Sequence, residues 1–78
     1  MIHVQINTAF EADENGPEET FVQTFVLPAS FARDARKAHE RLLTLIATED
    51  YFELPEHGVT GPVPMNSETV RLVAVWEQ

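Results

Sequence analysis

The chain has no cysteine, three glycines, one tryptophan and five basic residues in 78 positions. Each shortage excludes something. Without cysteine no disulfide ties the fold and no thiolate holds zinc, so a domain of this size rests on packing, alone or in an oligomer. Glycines scattered at positions 16, 58 and 61 make no phosphate-cradling loop. No run approaches the ~20 apolar residues of a membrane-spanning helix. The opening Met-Ile-His-Val-Gln-Ile lacks the basic flank and apolar stretch of a secretory leader. The expectation is one small cytoplasmic domain spanning residues 1–78.

Basic charge is scarce in a patterned way. Thirteen Asp and Glu face five Lys and Arg, a formal net charge of −8. Arg33, Arg36, Lys37 and Arg41 fall within nine positions, while residues 1–32 and 42–70 contain no Lys or Arg at all. Such a chain repels phosphate backbones and anionic lipid and favours basic partners.

Residues 2–10 alternate, with Ile2, Val4, Ile6, Thr8 and Phe10 on one side and His3, Gln5, Asn7 and Ala9 on the other, which predicts a half-buried strand. Residues 19–27 predict a second strand, with Phe21, Gln23, Phe25 and Leu27 on one face and Thr20, Val22, Thr24 and Val26 on the other. Asn15-Gly16 between them is a strong hairpin signal, because a type I′ turn needs positive φ at both central positions. Centred there, the turn pairs Phe10 with Phe21, Ile6 with Phe25 and Val4 with Leu27. Pro17 works against a tight turn, since it donates no ladder bond.

Residues 30–48 predict the one long helix. Ser30 is its candidate N-cap, and Phe31, Ala35, Ala38, Leu42, Leu45 and Ile46 form its apolar stripe. Residues 49–66 read as a long loop with one short strand near Tyr51–Leu54. Residues 68–77 predict the last strand, with Trp76 inward beside Phe25 as a core anchor and Val73 and Val75 outward. The fold class expected is α+β, in the order β-β-α-β: a three-stranded antiparallel sheet, order 2-1-3, with one helix packed on one face.

Little chemistry is available. His3, His39 and His57 lie on different elements with no ligand spacing, so they read as surface histidines. The paired carboxylates sit at turns and helix ends, where they are solvated rather than held in a cleft. Only Ser30 and Ser67 offer a serine hydroxyl, and neither belongs to a triad pattern. Neither catalytic residues nor a metal or other cofactor is expected, and the chain reads as no enzyme. The helix's basic stripe is too small, on so acidic a protein, to support direct nucleic-acid binding.

The reading that remains is an acidic protein-interaction module. Glu11, Asp13, Glu14, Glu18, Glu19, Glu49, Asp50 and Glu53 are the residues expected to meet a basic protein surface, such as the phosphate-binding face of a nucleic-acid enzyme. In size and charge alone the chain is comparable to antirestriction and anti-CRISPR inhibitors. An alternative is an assembly module that homo-oligomerises through an open sheet face carrying Val22, Val26, Val73 and Val75. A third is a small enzyme or ligand binder with its site at a dimer interface. The sequence leaves monomer and homodimer equally open, and no membrane contact is expected.

Overall fold

The alternation of residues 2–10 is realised as the central strand of the sheet. A computed structural model describes residues 1–11 and 16–78, with nothing described of the Glu11 side chain. Strand β1 (Ile2–Glu11) lies between β2 (Glu18–Leu27) and β5 (Val70–Glu77), antiparallel to both. Helix α1 (Ala35–Thr48) follows β2 and packs over β5 and β1. Two further strands, β3 (Tyr51–Leu54) and β4 (Val63–Asn66), pair with each other as a separate antiparallel ribbon. A 3-10 turn at Ser67–Thr69 leads into β5. The three-stranded sheet and its helix make this a small α+β fold.

One core forms on one side of the sheet. Ile2, Val4 and Ile6 of β1 meet Phe25 and Leu27 of β2, Phe31, Ala38 and Leu42 from the helical segment, and Phe52, Leu54 and Met65 from the second ribbon. Leu42 and Leu54 are fully enclosed, and each such side chain contributes roughly 1.5–3 kcal/mol by leaving water. The second ribbon is tied to the sheet where the His57 N–H donates to the Val26 carbonyl at 2.8 Å.

Four expectations are corrected. First, the hairpin register is offset by two residues: Val4 pairs with Phe25, Ile2 with Leu27, Thr8 with Phe21 and Phe10 with Glu19. The faces are preserved because the offset is even, but Phe10 and Phe21 are diagonal rather than direct neighbours. The ladder closes at Glu11–Glu18, clear of Pro17, whose missing N–H makes it a poor ladder residue. Asn15 of the expected turn lies outside the described residues.

Second, the last strand is turned over. Val75 stands opposite Val4 and Val73 opposite Ile6, so both valines pack against the core, and Trp76 stands opposite His3 on the open face. Both faces of this strand are apolar, so alternation alone does not choose between them. The helix approaches closely through the fully buried Ala38, which leaves depth for a valine but not for an indole. Val22 and Val26 therefore do not share a face with Val73 and Val75, and the four-valine surface does not exist.

Third, the helix begins at Ala35. Residues 28–31 form a turn, with the Phe31 N–H on the Pro28 carbonyl at 3.0 Å, and Asp34 caps the helix by accepting from the Lys37 N–H at 2.8 Å. Ser30 is not the cap. Fourth, the expected loop at 49–66 contains the β3–β4 ribbon. Pro64 is accommodated there because β4 is an edge strand.

The molecule is elongated, 43 × 24 × 21 Å. Ten-residue strands run about 33 Å, whereas a fourteen-residue helix covers only about 21 Å. The helix starts beside Glu77, whose carboxylate accepts from the Ala35 N–H at 2.6 Å. It thus covers the sheet from that end and stops short of the other. The Glu11–Glu18 end of the β1–β2 hairpin projects as an arm.

Candidate functional site

The projecting arm is the part of the molecule least accounted for by folding. Its inner face carries Thr8 and Phe10 from β1 and Glu19 and Phe21 from β2, on the same side of the sheet as the core. Phe10 is 47% exposed and Phe21 54%, while Phe25, four residues along the same face, is 7% exposed. The difference lies in what stands above them, since the helix and second ribbon cover Phe25 but not the arm. Two uncovered phenylalanines beside Glu19 form an apolar patch with an acidic border. Alternation places Phe10 and Phe21 on the core side of the sheet, and the shortness of the helix relative to β1 and β2 leaves them uncovered.

The acids named from the sequence are not gathered on one face. Glu18 and Glu19 are exposed on the arm. Glu18 reaches Arg71 across the sheet, Oε1 to Nη2 at 3.2 Å, with both side chains about half exposed. Ala9, between them on β1, is buried. Glu49 and Asp50 follow the helix, where their carbonyls accept from the Ser67 hydroxyl and, at 2.9 Å, from the Ser67 N–H. Glu53 is exposed on β3. Asp13, Glu14 and the Glu11 side chain lie outside the described residues.

Acids lie at both ends of the long axis, the cations mostly at one. Glu18, Glu19, Glu49, Asp50 and Glu68 lie toward the arm with Arg71, and Arg33, Arg36 and Lys37 lie toward the opposite end, where Asp34 and Glu40 partner them at 3.4–3.5 Å and the Glu77 carboxylate also stands. Arg41 is held over the Phe31 ring, 4.4 Å from its centroid, and donates to the Phe31 carbonyl at 2.6 Å. Anchored there, it packs against the protein rather than extending as a free basic side chain.

The open face of the sheet carries His3, Gln5 and Asn7, flanked by Val22, Thr24 and Val26 on β2 and Leu72, Ala74 and Trp76 on β5. His3 and Trp76 stack, with centroids 5.7 Å apart and planes within 13°. The Gln5 amide donates to Asn7 Oδ1 at 3.1 Å.

Besides a hollow of about 360 Å³ among Glu53, Pro55, Glu56 and Val59, two others mark the described surface. One, about 560 Å³, runs along the second ribbon between Tyr51, Glu53, Pro64 and Asn66. It holds no nucleophile beside a base. The other, about 270 Å³, lies at the start of the helix, with Arg33, His57 and Glu77 in its wall. There the Glu77 carboxylate already occupies the helix N-terminus. Among the described residues no three His, Asp or Glu converge as metal ligands, and no polar or charged side chain is buried. No helix among them is long and apolar enough to cross a membrane.

Comparison with protein-family models, curated proteins and solved structures finds no match.

Proposed function

We propose that this protein is a non-enzymatic interaction module that binds a basic protein surface through the end of its β1–β2 arm. The observation that carries the reading is the exposure of Phe10 and Phe21 on a ribbon that outruns its helix, beside exposed Glu18 and Glu19. Desolvating two rings supplies affinity, and the acids supply steering and orientation. A partner of matching chemistry presents an apolar cleft rimmed by Lys and Arg. The nucleic-acid-binding face of an enzyme is one such surface, and occupying it makes the module an inhibitor of that enzyme.

The test begins with capture of a partner on immobilised wild-type protein. Association rates are then measured for wild type, the pair Glu18→Gln/Glu19→Gln and the pair Phe10→Ser/Phe21→Ser. The acid pair should slow association at low salt and converge with wild type at high salt. The phenylalanine pair should mainly accelerate dissociation. A partner that binds all three proteins with the same rates would remove the arm from the interface.

A further inference from the structure

The two outer edges of the three-stranded sheet are differently protected, and the β5 edge is bare. The ladder phase shows which backbone groups face outward. Met1 and Gln78 exchange hydrogen bonds in both directions, at 2.6 and 3.1 Å. Alternation then turns the N–H and C=O groups of Leu72, Ala74 and Trp76 toward β1, and those of Val73, Val75 and Glu77 away from it. The same phase points the Val26 carbonyl outward from β2, where the His57 N–H takes it. No other segment among the described residues supplies a backbone partner to Val73, Val75 or Glu77. The β2 edge also has Pro17 and Pro28 at its ends and Glu18 and Glu19 along it, the usual means of discouraging strand addition. Strand β5 reads Val-Arg-Leu-Val-Ala-Val-Trp-Glu. Its only guards are the charged residues at the ladder shift, Arg71, and at the end, Glu77.

We infer that a second copy of this chain pairs with this edge, β5 against β5 and antiparallel, giving one continuous six-stranded sheet. The register follows from the residues. Outward-facing groups must meet outward-facing groups, and the register that uses the whole edge is centred on Ala74. It sets Val73 against Val75 of the second copy, continuing the core side, and Leu72 against Trp76 of the second copy on the open side. It brings Arg71 level with Glu77 of the second copy, so no like charges meet there, while each side chain keeps its own partner, Glu18 for Arg71 and the Ala35 N–H for Glu77. The smallest side chain of the strand lies on the two-fold axis, in a non-hydrogen-bonded pair where side chains approach most closely.

Whole-molecule charge selects this occupant. Most contacts between two chains of net charge −8 bring acid to acid. Antiparallel pairing of β5 avoids this. The helix start, where Arg33, Arg36 and Lys37 offset Asp34, Glu40 and Glu77, comes next to the Val70 end of the other copy, so Glu68, Glu49 and Asp50 of one copy meet the least acidic part of the other. The two acidic arms point to opposite ends of the dimer and stay free.

The contact is one strand long, so the dimer belongs among small, reversible interfaces. Mass measured by sedimentation across roughly 1 μM to 1 mM should rise from one copy to two and stop there. Because the chain has no cysteine, Ala74→Cys reports the register directly: under mild oxidation it should form a covalent dimer, the non-hydrogen-bonded antiparallel pair having Cα atoms within disulfide reach. Thr24→Cys, exposed on the same open face but on β2, should stay largely monomeric. Ala74→Glu should abolish the rise in mass without altering the circular dichroism of the dilute protein. A wild-type mass of one copy at all concentrations overturns the inference and leaves the edge to a foreign strand. Cross-linking of Thr24→Cys as fast as Ala74→Cys overturns it in favour of face-to-face packing, and continued growth beyond two copies overturns it in favour of open-ended stacking.

Discussion

Phe25 and Phe21 are the same residue, on the same strand, on the same face, four positions apart. One is an anchor of the core and the other stands in solvent. Periodicity is identical at the two sites, so the difference comes from outside the strand. A sheet residue is buried only if something lies above it, and here the cover is a helix about a third shorter than the ten-residue strands β1 and β2. Alternation therefore reports which way a side chain points, while element lengths decide whether it is covered. Exposed aromatics at the uncovered end then become candidates for binding instead of stability.

The comparison breaks most visibly under truncation. Phe25→Ala should cost on the order of 3–5 kcal/mol, a large share of the stability of so small a domain, and Phe21→Ala under about 1 kcal/mol. Urea unfolding of both variants measures the pair, and equal losses would mean that the arm is covered after all. Trp76 should fall between them. It lies on the open face, stacked on His3, so Trp76→Ala should cost about 1–2 kcal/mol through lost stacking and strand packing. A loss matching that of Phe25→Ala would return the indole to the core.

Smaller effects sharpen the boundary between the covered and uncovered ends. Asp34→Ala removes the helix cap and should lower stability by about 1 kcal/mol, whereas Ser30→Ala should change the melting temperature little. At the arm, Arg71→Ala breaks a half-exposed ion pair with Glu18. Such pairs are screened and contribute little, so a loss of no more than a few tenths of a kcal/mol is expected, vanishing in high salt. A double-mutant cycle with Glu18→Gln isolates that interaction.

The legibility of the fold follows the same physics. The pattern on β1 and β2 is one-sided, apolar against polar, so their inward faces were readable. The order 2-1-3 followed from connection rules. The second ribbon was half readable: Tyr51–Leu54 alternates, but its partner Val63–Asn66 contains Pro64 and looked like loop. The register was not readable, because Asn15-Gly16 and Pro17 pull the turn in different directions. On β5, valines on one side and Leu72, Ala74 and Trp76 on the other leave no polar face to mark the outside. Ser30 and Asp34 are both competent caps, and the turn after Pro28 decides between them. Of the candidate site, Glu18, Glu19, Glu49, Asp50 and Glu53 were identified as exposed acids, but their separation into groups depends on tertiary placement. Phe10 and Phe21 could be found only by measuring one element against another.

The pairing of Ile2 with Glu77 has a consequence for how the chain is made. The β1–β2 hairpin and the helix use contacts close in sequence and can assemble as they are synthesised. The central strand cannot be completed until Val70–Glu77 join it, a non-local closure that sets a slow step. Until then, the N–H and C=O groups of His3, Gln5 and Asn7 that face β5 have no ladder partner, and Val4 and Ile6 lack the cover of Val73 and Val75. An unfinished chain thus presents an apolar sheet edge at its centre, the kind of surface on which nascent proteins misassociate. Translation halted before Val70 should leave a product that aggregates or is degraded, while a chain that includes β5 buries that edge within itself.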